Sequence, residues 1–407
     1  MPRGSPDAFA ARSAACATAF AALFCAFPAI ARPAALAQVG PGPAQNAFAG
    51  SVVFGAKGCV RCHAVEGVGG ATGPDLARVA RPRSFFAFAA ELWNRHVVER
   101  VAEVRDAAPE ASRMSARDVE NLVAFLFTLR YFDAPGDIER GRRLFREKQC
   151  IRCHQIGGVG GVVGPNLDRV GRFGSPILVA AAMWNHGPAM ADAMRERGIA
   201  RPRFEESELV DLIAYLRSVA PEPRDGAVYV LPGRADRGER LFREKQCIVC
   251  HSVRGRGGDV GPDLADRAVG RSLTEFAAAM WNKAPKMLEA MRERGVAVPQ
   301  LAGEEMADLI AYLYAVQYFG DAGDPERGRA LVAQKGCLRC HTVGGRGGHT
   351  AADLERLRGK RSDAAVVAAL WNHIAVPREG PAPPWPTLSS DELADLAAFL
   401  GTTGPRR

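Results

Sequence analysis

The chain has 407 residues, 47% hydrophobic and 24% charged, a balance that excludes general disorder and a multi-span membrane protein. Aromatic residues make up only 7%, so small domains built from this sequence either rely on Ala, Leu and Val or take an apolar body from elsewhere. A formal charge of +8 would ordinarily point to an acidic partner such as nucleic acid, but a bound anionic cofactor would cancel it.

Residues 1–37 read as a secretory signal peptide. Arg3 and Arg12 precede an uncharged run from Ser13 to Ala31, and Ala35-Leu36-Ala37 offers an A-x-A cleavage site. A retained membrane anchor is the alternative, because the run approaches spanning length; Pro28, the small residues and the cleavage site favour removal. Phe24 stands before Cys25 where a lipoprotein site needs a small residue, so lipidation is not expected. An exported, periplasmic protein is the expectation, on a membrane only if the leader is retained.

After the leader a single unit is repeated four times, over 46–132, 137–220, 234–320 and 324–402. In chain order each unit predicts a short helix, a cysteine motif, a glycine-rich loop, a helix carrying Trp-Asn, and a closing amphipathic helix. The opening helix is clearest over Arg140 to Gln149, with Leu144 and Phe145 apolar; Leu241 and Phe242 match them in the third unit. The loop ends in Gly-Pro-Asp/Asn-Leu at Gly73 to Leu76, Gly164 to Leu167 and Gly261 to Leu264, and its glycines would let the backbone lie flat against a ring edge. The closing helices are predicted over Ser115 to Phe127, Ser207 to Val219, Glu304 to Val316 and Ser389 to Leu400, the last opened by a Ser389/Glu392 capping box. Pro/Gly/Asp-rich linkers fall at Asp133 to Gly136, Pro221 to Ala235 and Asp321 to Pro325. A glycine lies nine residues before each motif (Gly50, Gly141, Gly238, Gly328) and a tryptophan thirty after it (Trp93, Trp184, Trp281, Trp371), an interval of 43 residues without insertion.

Beyond Cys16 and Cys25 of the leader, all eight cysteines fall in C-x-x-C-H: Cys59, Cys62 and His63; Cys150, Cys153 and His154; Cys247, Cys250 and His251; Cys337, Cys340 and His341. An isolated C-x-x-C suits a thioredoxin-like pair or half a zinc site. Four copies with His in the same place, and no cysteine left over, point to covalent haem c, with two thioethers and an imidazole on iron. Spacings of three and four residues bring these groups to one side of a helical turn.

On these motifs the chain resembles the class I cytochrome c family, four domains in tandem, over nearly all of its mature length. The resemblance implies an all-α fold of four small helical bundles, each around a covalent haem, with opening and closing helices crossing. It also implies that the carbonyls of Pro74, Pro165 and Pro262 accept a hydrogen bond from the proximal histidine. The fourth unit has Ala351-Ala352 in place of Gly-Pro, which keeps a carbonyl but loosens the loop.

For the sixth iron ligand the second unit offers Met190 and Met194 and the third Met287 and Met291, each pair four residues apart on one helix face. Met190 and Met287 are preferred, because Pro188 and Pro285 just before them suggest an interrupted helix. The first unit offers His96 and Met114, the latter better placed as a hydrophobic staple before the closing helix. The fourth has no methionine after its motif and offers His373 over His349. His186 shares the place of His373 yet has methionines nearby. The tryptophans either donate to haem propionates or fill the core. Lys148, Lys245, Arg61, Arg152 and Arg339, beside the motifs, read as a docking rim or a solvated face.

Removal of residues 1–37 leaves about +6, and four haems bring roughly eight propionate charges. A nucleic-acid partner then loses its support. The expected function is a tetrahaem electron carrier with no catalytic residues, exchanging single electrons with redox proteins such as a membrane-bound or periplasmic dehydrogenase, reductase or oxidase. The alternative is a haem enzyme using an open sixth position at the first or fourth iron for peroxide or nitrogen-oxide chemistry.

Overall fold

The computed structural model describes residues 46–79, 84–99, 113–129, 135–173, 175–205, 207–221, 233–265, 272–318, 323–357, 362–375 and 385–401. The expected signal peptide and most of the three linkers lie outside these residues. The described chain is all-α apart from four two-residue hairpins, one in each glycine loop, such as Gln155–Ile156 against Val159–Gly160.

Every unit is built on a crossing of two helices. The opening helices are Ala47–Ala56, Ile138–Glu147, Ala235–Glu244 and Pro325–Gln334, and the closing helices Ala116–Thr128, Glu208–Val219, Gly303–Tyr318 and Ser390–Leu400. The glycine nine residues before each motif sits at the crossing. A Cβ on Gly50, Gly141, Gly238 or Gly328 would be driven into the carbonyl oxygen of Asn121, Asp211, Asp308 or Asp395 on the closing helix. Only glycine lets the two backbones approach this closely.

The same four closing-helix residues hold the crossing from the other side. Each is buried and takes the backbone N–H that begins the opening helix: Asn46 to Asn121 at 3.0 Å, Asp137 to Asp211 at 2.8 Å, Arg234 to Asp308 at 2.7 Å and Asp324 to Asp395 at 2.6 Å. Aromatic pairs close it one turn on, with ring centres 5.5 Å apart for Phe54–Phe125, 5.8 Å for Phe145–Tyr215 and 5.6 Å for Phe242–Tyr312. In the fourth unit Val332 replaces the first ring and Phe399 fills the space.

The lysine two residues before each motif's first cysteine is a tie bar to the closing helix and the segment before it. Lys148 donates to the Arg203 carbonyl at 2.7 Å and pairs with Glu208 at 2.9 Å. Lys245 repeats this with Gln300 and Glu305, Lys335 with Thr387 and Glu392, and Lys57 with Arg113 and Asp118.

The units pair in a nested order, the second with the third and the first with the fourth, and each pair shares one core. Three of the four repeat tryptophans use their indole N–H to cross to the partner unit. Trp184 Nε1 donates to the Pro299 carbonyl at 2.8 Å and Trp281 returns the bond to Pro202 at 2.7 Å, while Trp93 donates to Pro386 at 2.8 Å.

The next residue, Asn, clamps the partner's backbone on both its N–H and its C=O. Asn185 does so at Leu301, Asn282 at Phe204, Asn94 at Leu388 and Asn372 at Met114. Met114 is accordingly buried at this boundary. The fixed interval from motif to Trp-Asn holds each unit's cofactor motif at a set position relative to its partner.

Candidate haem sites

The opening helix ends at a left-handed residue, Gly58, Gln149, Gln246 or Gly336, with φ between 60° and 77°. The chain then turns directly into the C-x-x-C as a tight 3₁₀ turn, and Gln149 and Gln246 carry the strain that glycine avoids in the other two units. Within the turn the histidine N–H bonds back to the carbonyl of the first cysteine, at 2.9 to 3.0 Å in all four copies. Two thiols and an imidazole thus share one rigid loop.

The loop fixes the imidazole. Nδ1 of His63, His154 and His251 lies 2.9, 2.9 and 3.0 Å from the carbonyls of Pro74, Pro165 and Pro262, and that of His341 lies 2.7 Å from Ala352. A carbonyl only accepts, so Nδ1 carries the proton and the Nε2 lone pair faces outward for a metal. The fourth unit keeps the bond without its proline. Gly73, Gly164 and Gly261 pack against the imidazole rings, where a Cβ would collide with ring atoms. The loop aspartate ties the hairpin turn: Asp75 accepts from the Ala77, Gly67 and Glu66 amides, and those bonds, Ala77's foremost, hold its carboxyl below the usual range.

Burial pushes the thiols of Cys59, Cys150 and Cys247 up to about 11 and raises Cys337 as well, so the first thiol of each motif faces the apolar interior. All eight stand unbridged. A tight turn with two thiols, the first of them facing the apolar interior, an imidazole of fixed tautomer and a glycine cradle fits a covalently held haem.

On the opposite side the units divide. In the first, the His96 ring lies 5.8 Å from that of His63, and in the fourth the His373 ring lies 6.2 Å from that of His341. The second and third have methionines on helices that run unbroken over Pro176–Glu196 and Leu273–Glu293. Pro188 and Pro285 lie inside these helices, so the expected interruption is absent. Met190, Met194, Met287 and Met291 are half-buried against the shared core. His186 and His349 are exposed.

Comparison with known proteins agrees with this geometry. The Cytochrome c family model matches residues 47–130, 138–220, 235–317 and 325–404. A stretch of 88 residues is 32% identical to cytochrome c oxidase subunit 2 of Alkalihalophilus pseudofirmus, covering 20% of this chain and 25% of that protein. With the family model matched four times over most of its length, this chain belongs to the cytochrome c family of haem-binding electron-transfer proteins.

Proposed function

We propose that the chain is an exported tetrahaem cytochrome c that passes single electrons between redox proteins. The observation that carries this is the fourfold recurrence of one motif turn, each with its histidine Nδ1 bonded to a loop carbonyl. Cys59/Cys62, Cys150/Cys153, Cys247/Cys250 and Cys337/Cys340 are the attachment points, and His63, His154, His251 and His341 the proximal ligands. Bound haem supplies a one-electron ferric–ferrous couple whose potential follows from its axial ligands and burial.

The protein's own part is to hold each imidazole in one tautomer, keep water from the apolar side, and fix the units in pairs. Met190 and Met287 suit the sixth position in the second and third units. A methionine six residues past the tryptophan on an α-helix stands about 240° round from it, with its side chain leaning back toward the N-terminus.

Among the described residues no helix is long and apolar enough to cross a membrane. Export rests on the leader's residue pattern, and partners of dehydrogenase, reductase or oxidase type follow from single-electron exchange, which needs no substrate pocket. Histidines opposite the proximal rings in the first and fourth units weigh against the enzyme alternative.

Mass spectrometry of the mature protein, with a haemochrome count, tests this reading. The expected result is a chain beginning after Ala37 with four covalent haems. Bare thiols or bound zinc would overturn it.

A further inference from the structure

The helix that carries Trp-Asn winds differently in the four units, and only where the winding departs from α does a histidine face the proximal ring. In the second and third units it is α-helical throughout. In the first it changes to a π-helix over Trp93–Glu99, and in the fourth it tightens to a 3₁₀ turn over Asn372–Ala375. These are opposite distortions, one widening the turn and one narrowing it.

They compensate for a difference in spacing. His96 lies three residues past its tryptophan and His373 only two. At about 4.4 residues per π turn three residues sweep about 245°, and at 3.0 per 3₁₀ turn two residues sweep about 240°. An unbroken α-helix would put the two side chains near 300° and 200°. The 200° position is where His186 and Lys283 sit, both exposed. Two unrelated local distortions therefore bring two histidines, out of register by one, to the same side of the helix relative to its anchoring tryptophan.

Their distance from the proximal ring is what a shared metal requires. Metal–imidazole bonds of about 2 Å on each side, plus the offset from nitrogen to ring centre, put two axial rings about 6.3 Å apart. The observed 5.8 and 6.2 Å match this. His373 is also in the right tautomer, since its Nδ1 donates to the Ala369 carbonyl at 2.9 Å and leaves Nε2 outward. Each ring is backed by the other unit's tryptophan, His96 by Trp371 at 6.1 Å and His373 by Trp93 at 5.9 Å.

We propose that His96 and His373 are the sixth iron ligands of the first and fourth units, which makes the nested outer pair bis-histidine and separates it from the methionine-bearing inner pair. The proposal rests on the four-haem reading above. A bis-histidine couple generally lies below a histidine–methionine one, so the outer pair is the low-potential pair.

Near-infrared magnetic circular dichroism of the ferric holoprotein, with its haem count fixed independently by mass, distinguishes the two ligand sets without any variant. Two bis-histidine haems of four are expected. In H96A and H373A one haem each becomes high-spin and binds carbon monoxide when reduced, and added imidazole restores the low-spin state. A four-haem protein with no bis-histidine band, or variants whose ligand-set spectrum is unchanged, would overturn the assignment while leaving the carrier reading intact. A mass showing bare thiols would instead overturn the carrier reading beneath it.

Discussion

A lysine two residues before a cysteine motif looks, in sequence, like any other surface charge. Here four of them close the same link, and the glutamate partners of three show it electrostatically. Burial pushes the carboxyls of Glu208, Glu305 and Glu392 upward, but the lysine bond and a backbone N–H outweigh it and hold all three below the ordinary 4.5. A carboxyl depressed in the folded state adds stability that is present in full above its unfolded value and lost as the pH falls through the folded one. Glu305→Gln is therefore expected to cost about 0.5–1 kcal/mol at pH 7. The deficit should close as the pH drops below the ordinary glutamate range, where the native side chain is itself protonated. Denaturant unfolding at several pH values measures this; a pH-independent deficit would mean the loss is one of packing.

At the scale of an element, the opening helix carries its own control experiment. Gly50 and Gly55 lie five residues apart on the same helix, on different faces and with opposite surroundings. A Cβ at Gly50 meets the Asn121 carbonyl and Phe125, whereas at Gly55 it meets nothing within 4 Å. Gly50→Ala must push two backbones apart and is expected to destabilise by about 3 kcal/mol or more. Gly55→Ala on the exposed side should stabilise by about 0.5–1 kcal/mol through helix propensity. Thermal unfolding of both variants separates contact from propensity, since propensity alone would raise both melting temperatures.

The glycine's recurrence was readable from sequence, and so were the motif, the capping box at Ser389 and the closing helices to within a few residues. The winding of the middle helix was not. Residue types there suggested a proline break that does not occur, because Pro188 and Pro285 are tolerated within continuous helices. The π and 3₁₀ segments, by contrast, carry no local compositional mark.

At the scale of the whole molecule the pairing order was the least legible feature. A repeat with even spacing suggests neighbours in a row, yet the contacts run second to third and first to fourth. The code for this lies in Trp-Asn, whose partners are backbone groups of another unit and so leave no side-chain pattern to find. Asn185 bonds both the N–H and the C=O of Leu301, and Asn282 does the same at Phe204. Truncating either leaves two backbone groups at a partly buried boundary without partners, a loss of about 1–3 kcal/mol. If the two units unfold as one body, the second truncation should cost less than the first, because the boundary it would weaken is already open. A double-mutant cycle of Asn185→Ala and Asn282→Ala, read by calorimetry, should then show a coupling of about 0.5 kcal/mol or more between residues on separate repeats. Strict additivity would mean that the second and third units melt independently and that the tandem repeat behaves as separate beads.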